Sequence, residues 1–265
     1  MSPATLSAVE NGHTGLSVAR LEAIAAALGV PAAELLGRSS VPVPASPPAG
    51  RSEAPDTGAD WRVFEPLTLD PVLGAAIQAF VETGYHGATV RTIARRAGMS
   101  VPGLYHHYPS KQDLLVTVLD LTMADLGRRV SLARTEGDTA AGRFALMVEA
   151  MALFHTHRRE LAFIGASEMR SLEPGNRRRI ADLRNDLQYQ LDEQVRVAVA
   201  DGSFSTADPH DAARAVATMC TSLPQWFRPG GPSTPERIAA EYAQFALALM
   251  GARRGPPGVR PRAGS

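Results

Sequence analysis

Lysine is almost missing from this chain: of its 27 basic residues only Lys111 is one. Cysteine is as scarce. Cys220 stands alone among 265 residues, which excludes an intrachain disulfide and agrees with a reducing cytoplasm. Charge of one sign is lacking too, since 27 acidic residues balance the 27 basic ones, so no global excess points to nucleic acid and any such signal must be local. No apolar run approaches the roughly 20 residues that span a bilayer, and the N-terminus has no basic region followed by an apolar one. Membrane partnership and secretion are thereby set aside, and a cytoplasmic protein is expected. Also absent are a Ser-His-Asp set, a carboxylate pair, a glycine-rich phosphate loop and any Cys/His cluster at metal-ligand spacing. His155 and His157, two apart in "HTHRRE", point to different faces of a helix. The chain reads as a non-enzyme with no cofactor and no metal.

What is present is helix. Residues 1–38 read as short helices, the clearest being "LSVARLEAIAAALG" with Ser17 as N-cap and Gly29 as stop. Residues 39–66 are rich in Pro, Ala, Gly and Ser and read as a semi-extended linker, in which Trp61 and Phe64 are out of character and suited to docking on the adjoining domain. From Asp70 to about Met250 no strand-like alternation competes with helical patterning, so the fold class is all-α. Asp70-Pro71 opens one helix. Thr89 caps "VRTIARRA" before Gly98, and Ser100 caps "VPGLYHHY". Ser110 and Asp113 stand at capping-box spacing before a long helix. Further helices fall near 138–157, 158–171, 175–200, 209–226 and 235–250, the last with Ser233 and Glu236 at capping-box spacing. The tail, 252–265, is basic and reads as disordered.

"TVRTIARRAGMSVPGLYHHYPSK" is a helix, a tight turn at Gly98 and a second short helix. Ile93, Ala94, Ala97, Met99 and Leu104 form its inward face and leave Ser100, Val101, Pro102 and His106 outward. An exposed Val-Pro pair is poorly solvated unless covered, and a major groove covers it with thymine methyls. Thr89, Tyr105, Lys111 and the free N–H groups after Ser110 suit phosphates. On pattern alone, a helical hairpin that tolerates Val and Pro at its surface stays open as the alternative.

The stretch "VLGAAIQAFVETGYHGATVRTIARRAGMSVPGLYHHYPSKQDLL" closely resembles the DNA-binding domain of TetR-family transcriptional regulators. The resemblance assigns 67–120 to that three-helix domain and 121–251 to a helical effector-binding and dimerisation domain. It implies phosphate contacts at Thr89, Tyr105 and Lys111, with Arg91, Val101, Pro102, Gly103 and His106 facing bases and Ser100 at the head of the recognition helix. The partners implied are double-stranded operator DNA, a second copy of the chain, and a small-molecule effector. The function expected is a ligand-responsive dimeric regulator, a repressor released from a palindromic operator. The alternative is a helical ligand-binding or interaction protein that no longer binds an operator.

Residues 1–38 resemble the second half of a Cro/XRE-type helix-turn-helix domain. In that family a Val commonly precedes the Ser of the recognition helix, and a GTG codon read as a start would be written as Met1. The expectation is a gene that begins upstream, with a decayed fusion remnant as the alternative.

In the regulatory half, Ile180, Leu183, Leu187, Leu191 and Val195 form one stripe, and Ile238, Tyr242, Phe245 and Leu249 form another on a last helix apolar enough to be buried on two sides. Its partners would be the preceding helix and a second subunit. "ELAFIGASEMRSLEPGNRRRI" and "WFRPGGPSTPERIAAEY" resemble a TetR branch whose effectors are acyl-CoA thioesters. On that resemblance Phe154, Phe163, Met169, Arg170 and Trp226 are the candidate effector pocket, each with ordinary core packing as its alternative.

Overall fold

Asp70 and Pro71 begin the first helix as an N-cap and first-turn proline should. In the computed structural model, which describes residues 60–252, the Asp70 carboxylate accepts from the N–H groups of Val72 and Leu73 at 3.0 Å each. The readings of residues 1–38, of most of the linker and of the tail lie outside the described residues. Helix α1 spans Pro71–Gly87 and breaks at Gly84, whose φ of +69° only glycine adopts without strain. Thr89 caps α2 (Val90–Arg96) through the Thr92 N–H, Ser100 caps α3 (Val101–His107) through the Gly103 N–H, and Ser110 caps α4 (Lys111–Thr135) through the Asp113 N–H. Gly98, at φ +70°, makes the tight turn between α2 and α3. The free oxygen of Asp70 accepts from the Tyr108 hydroxyl at 2.6 Å, tying the start of α1 to the end of α3.

Next come α5 (Ala140–His157), α6 (Arg159–Ser167), a 3₁₀ turn (Met169–Ser171), α7 (Pro174–Ala200), α8 (Pro209–Thr221), the single turn α9 (Leu223–Trp226) and α10 (Pro235–Leu249). No strand occurs among the described residues, and no helix among them is long and apolar enough to cross a membrane. The cap of α10 is Thr234, which accepts from the Arg237 N–H, rather than Ser233. A proline at the first helical position makes its own predecessor the cap, so Pro235 decides the matter.

The core has two parts. One joins Leu73, Phe80, Ile93 and Leu104 to Leu114 and Leu119 of α4 and to Leu161 and Ile164 of α6. The other joins Val130 of α4 to Phe144, Met147 and Phe154 of α5, Leu191 and Val195 of α7, Cys220 of α8 and Tyr242 of α10. Helix α4 runs unbroken through residue 120, so the two halves share it as a common spine. Trp61, although it precedes α1, is wholly buried in the second part, which places residues 61–65 on the body of the protein rather than in the linker.

Candidate nucleic-acid interface and effector cavity

The α2–turn–α3 unit presents the expected face with one exception. Ile93, Ala94 and Leu104 are buried, while Arg91, Ser100, Pro102, His106 and the Tyr105 ring are exposed. Val101, expected to point outward, is half-buried against the α1–α4 core, and its apolar surface is already spent there. Gly103, in the first turn of α3, sits close under its cap: a Cβ on it would lie 3.3 Å from Ser100 Oγ. His106 and His107 meet edge to face at 5.8 Å.

Around this face the polar groups are partly committed. Thr89 Oγ1 accepts from the Thr92 N–H at 3.1 Å and shares a hydrogen bond with the Thr92 hydroxyl. Lys111 Nζ donates to the carbonyls of Tyr85 at 2.7 Å and Ala88 at 2.8 Å and sits 4.3 Å above the Tyr85 ring. Burial pushes its pKa down. An ammonium has three hydrogens, so one remains for a phosphate. Arg91, Arg95 and Arg96 are all exposed, and Arg96 is paired with Glu82 at 2.5 Å.

Gln112, one residue beyond, carries a role the sequence did not signal. Its amide nitrogen donates to the Tyr85 hydroxyl and to the Ser171 carbonyl, both at 3.3 Å, and its oxygen accepts from the Glu173 N–H at 2.6 Å. The side chain thus joins α1, α4 and the 3₁₀ turn after α6. Glu168 lies in the same contact: it accepts from the Ser171 hydroxyl at 2.8 Å, and a Cβ on Gly84 would approach it to 3.3 Å.

A cavity of roughly 320 Å³ opens among α4, α5, α6, α7 and α8. Met123, Leu126, Met151, Phe154, Leu187 and Leu191 supply its apolar wall, and Thr122, Gln188, Thr218, Arg184 and Arg214 its polar groups. Arg184 donates to the Gly165 carbonyl, and burial pushes its pKa down. His155 donates from Nδ1 to the Met151 carbonyl at 2.6 Å. Burial, and to a lesser degree Arg184, pushes its pKa down to about 4, so it stands neutral in the cavity wall. Arg214 is exposed and marks the mouth.

Of the five pocket candidates the structure brings one, Phe154, to this cavity. Met169 packs on the α1–α4 core, Phe163 is half-buried away from the lining, Arg170 is exposed, and Trp226 is 50% exposed. The 3₁₀ turn carries residues 169–171 toward α1, and α9 turns Trp226 outward; neither turn was visible as a break in helical periodicity. The α7 stripe holds except at Leu183, which is exposed. On α10 the stripe divides. Ile238 and Tyr242 are buried against the body, whereas Phe245 is 55% and Leu249 51% exposed, leaving an apolar face on this helix. Trp226 of α9 reaches the same helix at the Tyr242 hydroxyl.

Residues 72–118 match the family described as bacterial regulatory proteins, tetR family, and residues 137–250 match the Tetracyclin repressor-like C-terminal domain. Residues 1–35 match a helix-turn-helix family. The HTH-type transcriptional repressor KstR2 of Rhodococcus jostii (strain RHA1) is 28% identical over 179 residues, 66% of this chain and 87% of the relative. A crystal structure of a tetR-family bacterial regulatory protein from Rhodococcus RHA1 superposes with a TM-score of 0.66 at 29% identity, covering 69% of this chain and 97% of that one. The structure of AibR in complex with isovaleryl coenzyme A and operator DNA shares the fold, with a TM-score of 0.62 at 23% identity over 69% of this chain and 97% of that one.

Proposed function

From a chain that belongs to the TetR family of bacterial regulatory proteins, and so to the ligand-responsive DNA-binding regulators, we propose a cytoplasmic homodimeric repressor that an acyl-CoA-like effector releases from a palindromic operator. The observation that carries this reading is the pairing of an outward α3 face with a part-apolar, part-cationic cavity on the same spine helix, α4.

On DNA, α3 enters the major groove. Pro102 and His106 meet base edges, Arg91 reaches a guanine or a phosphate, and the Tyr105 hydroxyl, Thr89 and the spare hydrogen of Lys111 hold the backbone. Ser100 and Gly103 keep the first turn of α3 tight, and Val101 seats the helix rather than reading sequence. Two copies joined through the exposed Trp226, Phe245 and Leu249 face would set their α3 helices about 34–36 Å apart, one turn of the duplex. A second subunit also accounts for large apolar side chains left in water.

The cavity lies at the small end of the volumes that hold ligands. It has room for an acyl group, with the polar remainder of a thioester outside the mouth at Arg214. The fold accommodates both ligand kinds in the AibR complex. An effector shifts the equilibrium only by binding one arrangement more tightly than the other, here the arrangement with the wrong α3 spacing. The proposed pocket is Phe154 with Met123, Arg184, Gln188 and Arg214 in place of Phe163, Met169, Arg170 and Trp226.

A gel shift on DNA upstream of the protein's own gene, titrated with acyl-CoAs, free fatty acids and coenzyme A, tests the whole. Retardation reversed by thioesters is expected. Release by free acids and never by thioesters removes the CoA part, and absence of any retarded band removes the operator.

A further inference from the structure

Residues 61–65 are clamped to the second half of the protein by an unusual set of buried charges. Asp125 of α4 is wholly buried and accepts from the partly exposed Arg128 at 3.3 Å and from two buried guanidiniums, Arg129 Nε at 2.8 Å and Arg158 Nε at 3.2 Å. The same two guanidiniums donate to three alternate main-chain carbonyls. Arg129 reaches Trp61 at 2.6 Å and Val63 at 2.9 Å, and Arg158 reaches Glu65 at 2.7 Å. Phe64 lies between the Arg129 guanidinium, 3.5 Å from its ring centre, and the stacked His157 ring at 4.3 Å. Arg62 adds ion pairs to Glu136 and Glu149 at 2.9 and 3.1 Å. Burying one carboxylate with two guanidiniums is costly, and apolar side chains of similar size would often hold the fold as well. What the charged set adds is a fixed position for the backbone it grips.

That position matters because of the segment beyond it. Four residues, and so five peptide steps, separate Glu65 from Asp70, a leash of at most about 18 Å when fully extended. Asp70 caps α1 and accepts from Tyr108, the residue that closes α3. At the other end, Thr122, Met123 and Leu126 line the cavity on the same turns of α4 that carry Asp125. One short path therefore runs from the cavity wall through Asp125, Arg129 and the strap to the base-facing helix.

We infer that residues 61–65 are a strap that fixes the base-facing helix relative to the effector cavity, and that Arg129 is a positioning residue for DNA binding. The consequence for DNA rests on the operator reading above; the positioning does not. With the strap slack, α1–α3 are still held by packing on Leu161 and Ile164 of α6 and by Gln112, but they sample a wider range of orientations around the spine helix, of which only a fraction match the groove.

The test inserts four glycines between Pro66 and Leu67 in the full chain, which keeps every anchoring contact but slackens the leash. Spin labels at exposed Gln78 and Glu193, with labelled chains diluted into unlabelled ones, report the distance between the halves. The insertion should broaden a narrow distribution, and Arg129→Met should broaden it in the same way. For the strongest duplex that the unaltered chain selects from random sequences, affinity should fall about tenfold if the competent orientation drops to a tenth, with non-specific affinity unchanged. An insertion variant whose distance distribution is as narrow as that of the unaltered chain overturns the inference, even if Arg129→Met unfolds the second half. A chain that selects no sequence at all removes the operator reading, and the distance distribution alone then decides the strap.

Discussion

The DNA-binding half and the cavity-bearing half are both helical, but they are held by interactions of different range. Each helix from α1 to α4 starts with its own cap: Asp70, Thr89, Ser100 and Ser110 all accept from an N–H within three residues. Beyond α4 this largely stops. Thr139 and Thr234 cap α5 and α10, whereas α6, α7, α8 and α9 begin with no side-chain cap. Here α6 and α7 are tied from afar, by Arg143 on Gln194 at 2.9 Å, Arg184 on the Gly165 carbonyl, and Arg158 on Asp125. Local caps make a small unit whose shape changes little, as a reader of DNA needs. Distant ties leave the shape of the cavity-bearing half to depend on how its helices cross.

The largest test of this contrast is Asp125→Ala. It leaves two buried guanidiniums without their carboxylate and should cost about 3–5 kcal/mol, read from denaturant unfolding; a loss no larger than that of a surface substitution would break the comparison. His155→Gln comes next. Burial pushes the His155 pKa down from 6.5 to about 4. Between those values the unfolded chain is protonated there and the folded chain is not, so stability falls as the pH falls through that window and is unaffected above it. The swing is at most about 3 kcal/mol, and the glutamine variant should show a flatter melting temperature from neutral pH to acid.

A matched pair sharpens the cap argument. Asp70→Ala removes the cap of α1 and the partner of Tyr108 and should cost about 1–2 kcal/mol. Asp208→Ala, at a position that makes no side-chain cap to α8, should stay within about 0.5 kcal/mol. Equal losses would show that the first half owes nothing special to its caps. The smallest effect is on the DNA face itself. Tyr105→Phe should leave unfolding unchanged and weaken binding to every duplex by about 1 kcal/mol, since a phosphate contact carries no sequence information. A change in which duplex is preferred would reassign Tyr105 to base reading.

The same difference in range governs what could be read from the sequence. Asp70-Pro71, Thr89, Ser100 and Ser110 announce helix starts by chemistry contained in a few residues, so α1–α4 and the α3 face were legible. The cavity was not. Its wall draws Met123, Phe154, Arg184 and Arg214 from helices far apart in sequence, and their convergence depends on how α4–α8 cross. Phe163, Met169 and Trp226 had the right character for a pocket, but the 3₁₀ turn and α9 redirect them. Gln112 was invisible because two of its three partners belong to residues 171 and 173. Trp61 and Phe64 did stand out as misplaced aromatics in the linker, a true signal whose cause lay in Arg129 and Arg158.

The clamp on residues 61, 63 and 65 grips carbonyl oxygens, and every amino acid carries one. Trp61 and Phe64 are held by the shape of their side chains, and Arg62 by its ion pairs to Glu136 and Glu149. The peptide in this socket is thus free to drift in spelling at Val63 and Glu65 while keeping its seat. The informative residues for finding such a socket in other chains are the aspartate and arginine on α4 and the arginine that closes α5. The socket is also a mounting point. Trp61, the first residue the socket grips, is seated on the cavity-bearing half, so strain entering the backbone there reaches Arg129 before it reaches Asp70.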